Sequence, residues 1–107
     1  MAAPGMKTKR LSISVQKIID TVSADSGISF SRMAHRTRKR EVVLARQQCV
    51  WLIDHYRLLT LTAIGELFGG RDHTTAIHSR NTINNLMFSD ERMRNKMEAL
   101  ILKLDNK

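Results

Sequence analysis

Two adjacent glycines, Gly69 and Gly70, divide the middle of this chain into two short amphipathic segments. Before them, apolar residues recur at helical spacing from Leu61 to Phe68. After them, Asp72 is a suitable N-cap for a new helix that begins almost at once. Glycine readily takes the left-handed conformation at a helix C-terminus, so the pair can end one helix and turn the chain into the next. The pattern predicts a helix-turn-helix unit.

The segments ahead of this unit follow the same helical period. Apolar residues spaced by three and four positions predict a first helix at about 12–25. Ser12 or Ser14 can serve as its N-cap, and Gly27 ends it. Ser29 can then cap a short second helix.

A wide apolar face from Val42 to Tyr56 predicts a long central helix, the most buried of the fold, with Trp51 in the core. Ser89, which two acids follow, is typical of the start of a last helix, because acids are favourable at the positive end of the helix dipole. No stretch shows the period of two that a half-buried strand has. We therefore predict an all-α fold, a compact bundle of about six helices that contains the helix-turn-helix unit.

The formal net charge of +8 is concentrated in two stretches. Residues 7–10 carry three basic residues, and 32–46 carry six against the single acid Glu41. Clustered positive charge is typical of a protein that binds a polyanion, and nucleic acid is the leading partner, although a solvated basic segment would show the same run. Residues 1–10 also hold the only proline and are predicted to be a disordered basic tail, which leaves 11–107 as one folded domain.

The sequence also favours a cellular compartment. Its only cysteine, Cys49, has no partner for an intramolecular disulfide and fits a reducing environment. No apolar run approaches the roughly 18 residues of a membrane span, and no hydrophobic segment follows the basic start as in a signal peptide. We expect a cytoplasmic protein associated with the nucleoid.

The helix that Asp72 begins has the side chains of a base-reading helix. A recognition helix presents its first turn to the floor of the major groove, where short polar side chains touch base edges. Asp72 can accept from a cytosine amino group, and His73 can donate to or accept from purine edges. Thr74 and Thr75 can pack their methyl groups on thymine. Arg71 can neutralise a phosphate beside the helix start, whose backbone N–H groups can bind one.

The run LTAIGELFGGRDHTTAIH at 61–78 closely resembles the signature of domain IV, the C-terminal DNA-binding domain of the bacterial chromosomal replication initiator DnaA. Seven consecutive residues, 69–75, match that signature, which is far more specific than a bare helix-turn-helix pattern. A weaker resemblance extends over about 12–104. The chain has no Walker A phosphate loop and is too short to add an ATPase module, so we expect no ATP or other cofactor.

The resemblance implies a role for the basic loop, the segment HRTRKR at 35–40, which has no apolar period and is predicted to be a loop or the start of the central helix. An arginine of this loop would enter the minor groove next to the recognition helix, with Arg40 as first choice and Arg38 as second. A narrow, A·T-rich groove attracts such an arginine. The residues that the resemblance assigns to bases in the major groove are Asp72, His73, Thr74 and Thr75, the last with bases or phosphate.

Phosphate contacts are implied for Arg46 and Gln47, which align with an arginine and a glutamine at the start of the family's central helix. Arg71 and Lys39 complete the predicted set. The family commonly has a proline between two basic residues here, whereas this chain reads ARQQ at 45–48, which leaves the loop register open by a residue or two. The target that the resemblance implies is a short asymmetric site in double-stranded DNA, similar to the initiator box and read mainly by a monomer.

Two other classes of function compete with DNA reading. An interaction module would bind the replication initiator or another replication protein and regulate it without reading DNA. An enzyme or metal site would need more than His73 and His78, which lie five residues apart with no cysteine or acid to complete a site. The intact run at 69–75 argues against a module that has lost DNA reading. We expect no catalytic activity and no metal.

Overall fold

The computed structural model describes residues 13–105, and over that range the chain is helical with no strand. The predicted tail, 1–10, and Ser12 as a possible cap lie outside the described residues. The all-α bundle of about six helices is confirmed. The helices are α1 (Val15–Ser26), α2 (Phe30–Ala34), α3 (Arg40–His55), α4 (Leu61–Leu67), α5 (His73–Ser89) and α6 (Glu91–Asp105).

The central helix α3 organises the core, as its wide apolar face predicts. It packs against α1, α2, α4 and α5. Its inward side chains are almost fully buried: Val42, Ala45, Cys49, Val50, Leu52 and Ile53. Burial raises the pKa of the Cys49 thiol to about 12, because an apolar surrounding disfavours the thiolate. Cys49 is therefore a packing residue of the core.

The serines and the glycine that the sequence singles out do cap the N-terminal helices. The Ser14 hydroxyl accepts from the backbone N–H of Lys17 at 3.1 Å, so Ser14 begins α1. Gly27 ends that helix in the left-handed conformation, with φ 78°. The Ser29 hydroxyl accepts from the backbone N–H of Arg32 at 3.3 Å and caps α2.

The prediction that Ser89 starts the last helix is wrong. Helix α5 continues through Ser89, whose hydroxyl donates to the carbonyl of Asn85 at 2.9 Å. The cap of α6 is Asp90, whose carboxylate accepts from the backbone N–H of Arg92 at 2.9 Å. Serine can bond back to the carbonyl four residues earlier, so it is tolerated in a last helical turn, and aspartate caps the next helix as well as serine would.

Trp51 is only half-buried, at the edge of the core and not inside it as predicted. Its indole Nε1 donates to the Asn84 amide oxygen at 2.7 Å, and its ring stacks on His55 with centroids 4.7 Å apart. An indole N–H needs a polar partner, which an amide at the rim of α5 provides. None of the helices within residues 13–105 is long and apolar enough to cross a membrane.

Candidate nucleic-acid interface

The turn between α4 and α5 is built on glycines, as the sequence predicts. Gly69 and Gly70 both have positive φ, 91° and 75°. The backbone N–H of Arg71 donates back to the carbonyl of Gly65 at 2.8 Å, which ties the start of α5 to α4. A Cβ at Gly65 would lie 2.8 Å from the carbonyl oxygen of Asp72 and closer still to that of Arg71. The two helices can approach this closely only because position 65 has no side chain.

Asp72 is the N-cap of α5. One oxygen of its carboxylate, Oδ1, accepts from the backbone N–H of Thr75 at 3.1 Å and from the Thr75 hydroxyl at 3.2 Å. Both bonds from Thr75 go to Oδ1, so the other oxygen, Oδ2, takes no part in them. Asp72, His73 and Thr74 are exposed, whereas Thr75 is half-buried. The first turn of α5 therefore presents an acceptor, an imidazole and a hydroxyl to solvent.

The pKa of Asp72 is held below its ordinary value, first by the backbone N–H of Thr75 and also by the Thr75 hydroxyl and His73. A depressed pKa means that the charged cap stabilises the fold above the unfolded-state value, near 3.8, and that this stabilisation is lost as pH falls through the folded-state value. The variant Asp72→Asn cannot titrate at this position. We expect the difference in unfolding free energy between wild type and this variant to be constant from pH 7 to about 5. Below about pH 4, wild type should lose stability relative to the variant. Urea unfolding of both proteins across this range measures it. A difference that shifts between pH 7 and 5 would contradict the depressed pKa.

The basic loop runs from the end of α2 to the first residue of α3, which is Arg40. The side chains of Arg36, Arg38, Lys39 and Arg40 are all exposed. Two ion pairs occur within residues 13–105, Arg80 with Asp54 and Lys96 with Asp25, and neither uses a cation of the loop. An open cleft of about 450 Å³ lies along the loop, and its lining residues are Ser31, Arg32, His35, Thr37, Lys39 and Val42. The loop thus keeps its positive charge available to an anionic partner.

Two of the predicted phosphate-binding arginines lie between these two surfaces. The Arg71 guanidinium is half-buried and donates to the carbonyls of Ala34 and His35, each at 3.4 Å, and to that of Phe68. Arg46 is buried, with 9 % of its surface exposed, and donates to the carbonyl of Met33 at 3.2 Å. Burial and the neighbouring Arg71 lower the pKa of Arg46.

The structure separates the predicted site residues into three groups and the single residue Gln47. Asp72, His73, Thr74 and Thr75 form the start of α5; Arg38, Lys39 and Arg40 lie in the basic loop; Arg46 and Arg71 lie between them; and Gln47 is half-buried on α3. Sequence reasoning missed Arg36, which shares an open cleft of about 310 Å³ with Ala34, Gly69, Gly70 and Arg71. The basic run contained Arg36, but nothing in the sequence indicated that this arginine faces the glycine turn.

A helix-turn-helix unit with an exposed polar first turn, beside a loop of exposed cations, defines the class of DNA-binding helix-turn-helix domains. Comparison with known proteins gives the family. Residues 15–83 match the family described as the bacterial DnaA protein helix-turn-helix, and the chain belongs to this family. The matched residues contain the basic loop, the glycine turn and the exposed start of α5. The resemblance seen in the sequence is thereby confirmed.

Individual relatives are chromosomal replication initiator proteins DnaA. The one from Herpetosiphon aurantiacus is 39% identical over 93 residues, which cover 87% of this chain and 20% of the relative. The one from Oenococcus oeni is 33% identical over 100 residues, 94% of this chain and 22% of the relative. The one from Azoarcus sp. is 35% identical over 88 residues, 82% and 18% respectively. The chain spans about a fifth of the length of the curated relatives it matches.

Proposed function

We propose that this domain binds double-stranded DNA sequence-specifically, at short asymmetric boxes of the kind that the DnaA initiator recognises. The first turn of α5 lies in the major groove, and an arginine of the basic loop lies in the adjacent minor groove. The observation that carries the proposal is the exposure of Asp72, His73 and Thr74 at the start of the second helix of a helix-turn-helix unit. That is where such folds present base-reading side chains.

The carboxylate oxygen of Asp72 that does not bond Thr75 supports a contact with cytosine. Since the cap of α5 uses only Oδ1, Oδ2 can accept from a cytosine amino group while the helix start stays intact. His73 and Thr74 extend the same surface towards neighbouring base edges. Thr75, whose hydroxyl already donates to Asp72, offers its methyl group to thymine or its oxygen lone pairs to a donor.

The basic loop supplies the minor-groove arginine, Arg40 or Arg38, together with phosphate contacts. Exposure and the absence of an ion pair within the described residues support both arginines, and Lys39 lies between them. Gln47 and Arg46 on α3 are proposed phosphate contacts on the strength of the family resemblance alone. Arg71 is proposed as a further one, although its guanidinium also donates to three carbonyls.

The biological role proposed for this binding is replication initiation or its regulation, since the relatives are named as chromosomal replication initiators. We further propose that the domain reads its box as a monomer, in the cytoplasm on the nucleoid, and that the replication initiator or another replication protein is a candidate partner. We propose that the domain binds DNA and has no catalytic role.

His73→Ala tests the base-reading role of α5. We expect it to weaken binding to a duplex with an initiator box by about 1–3 kcal/mol and to leave binding to a scrambled duplex nearly unchanged, because a base contact carries sequence information that a phosphate contact does not. Fluorescence anisotropy titrations measure both affinities. His78→Ala is the matched control, since it removes another exposed histidine five residues further along α5. Equal losses on the two duplexes for His73→Ala would show that the residue does not read bases.

A further inference from the structure

Two arginines from different parts of the chain donate hydrogen bonds to the backbone at the C-terminal end of α2. Arg46 of α3 donates to the carbonyl of Met33, while Arg71, just before α5, donates to the carbonyls of Ala34 and His35. The last carbonyls of a helix have no partner within the helix and carry partial negative charge, so they attract cations. These three carbonyls are also the point at which the basic loop begins.

The arrangement is unfavourable as a purely stabilising device. It places two like charges side by side in a partly buried site, where burial and the neighbouring Arg71 lower the pKa of Arg46. The Nε of Arg46 is buried and has no hydrogen-bond partner in the described range, 13–105. A buried, incompletely paired cation normally destabilises a fold. Its presence here points to a role in holding two functional surfaces in place.

Gly69 brings the same surfaces into direct contact. Its φ of 91° is in the left-handed region, and a Cβ built there would overlap the carbonyl oxygen of Ala34 and lie 2.8 Å from Nη1 of Arg71. The turn that begins α5 therefore lies directly against the end of α2. Arg71 directly precedes Asp72, the N-cap of α5, and its guanidinium bonds the start of the basic loop. This one side chain therefore connects the loop to the start of α5.

We propose that Arg71 is a positioning residue that fixes the basic loop relative to the first turn of α5, so that the minor-groove and major-groove halves of a site are read as one rigid unit. This inference rests on the proposed function. It adds that the distance between the two halves of the DNA site is part of what the domain recognises.

Arg71→Lys is the variant that separates positioning from charge. Lysine keeps the positive charge and its attraction to phosphate, but it lacks the planar fork that reaches several carbonyls at once. For each protein, affinity is measured for four duplexes: the box, the box with the A·T pairs that face the loop changed to G·C, the box with a base pair that faces α5 changed, and a scrambled duplex. The loss of affinity that each changed box shows relative to the intact box is its penalty. A changed base pair typically costs roughly 5- to 150-fold in affinity.

In Arg71→Lys we expect the A·T-to-G·C penalty to shrink to about twofold, while the penalty facing α5 stays close to that of wild type. Arg80→Lys, on the flank of α5 that pairs with Asp54, is the matched control and should change neither penalty. If both penalties survive in Arg71→Lys, or if Arg71→Gln merely lowers affinity for all four duplexes equally, Arg71 is only a phosphate contact or a structural residue, and the inference that it positions the loop is wrong.

A second measurement needs no variant, and it stays decisive if Arg71→Lys does not fold. One base pair is inserted between the two halves of the box, and the A·T-to-G·C penalty is measured again with wild-type protein. A rigid unit predicts that the penalty disappears, whereas a freely adjusting loop predicts that it persists and would overturn the inference. Wild type that does not distinguish box from scrambled duplex would refute the proposed function itself; wild type that distinguishes them, with a penalty that survives the insertion, would refute only the positioning role.

Discussion

Gly65→Ala is expected to destabilise the domain by about 2–4 kcal/mol, which lowers Tm by roughly 10–25 °C. Inside a helix this change normally stabilises, by about 1 kcal/mol, because alanine is the better helix former. Here the new methyl group would meet the backbone carbonyls of Arg71 and Asp72, which cannot move without displacing the start of α5. That displacement would also break the hydrogen bond from the Arg71 backbone N–H to the Gly65 carbonyl. Thermal and urea unfolding measure the effect.

Two controls distinguish the clash from general sensitivity of this region. Glu66→Ala changes an exposed neighbour on the same helix and should lie within about 0.5 kcal/mol of wild type. Gly70→Ala should cost about 1–2 kcal/mol, since its Cβ would meet nothing within 4 Å and only the left-handed φ of 75° is strained. A Gly65→Ala variant as stable as wild type would mean that α4 and α5 are not in the close contact described.

Asp72→Asn is expected to lower affinity for the box by about 1–3 kcal/mol, or roughly 5- to 150-fold, with stability within about 0.5 kcal/mol of wild type. Asparagine caps helices as well as aspartate does, so its amide oxygen can take over the bonds that Oδ1 accepts from Thr75. Its amide nitrogen then replaces Oδ2, and a donor faces the cytosine amino group where an acceptor stood. Unfolding and DNA titration of the same preparation give both quantities.

Asp72→Ala is the companion variant, because it removes the cap and the base contact together. We expect it to lose about 1 kcal/mol of stability as well as the affinity that Asp72→Asn loses. If Asp72→Asn binds the box as wild type does, then the carboxylate is a helix cap and nothing more. An unchanged affinity for cytosine-containing boxes would therefore remove Asp72 from the base-reading residues.

The sequence was most informative where one residue decides local geometry. Ser14, Ser29 and Asp72 could be identified as caps because each stands at the edge of an apolar helical period. It was least informative where two residues compete. Ser89 and Asp90 both favour a helix start, and only the packed structure shows that α5 extends through the serine. The wide apolar face of α3 likewise gave no sign that Trp51 lies at its uncovered edge.

The candidate site likewise has one half that the sequence reveals and one half that only the packed structure shows. Its major-groove half, from Asp72 to Thr75, is contiguous in sequence, so a motif can reveal it. The basic loop is held by contacts between Arg71 and the carbonyls of Ala34 and His35, which lie 37 and 36 positions earlier in the chain. Such long-range contacts have no periodic signature. For that reason the sequence predicts only phosphate contacts for Arg46 and Arg71 and does not indicate that their side chains also bond the end of α2.

Sequence-specific reading of double-stranded DNA is tested most directly by titrating wild-type protein into a duplex with an initiator box and into a scrambled duplex, each at two salt concentrations. We expect the box to bind at least ~10³-fold more tightly, with log K falling against log salt by about 0.9 for each phosphate neutralised. Equal and weak binding to both duplexes, with the same salt dependence, would mean that the clustered charge alone attracts DNA and that the first turn of α5 does not read its sequence.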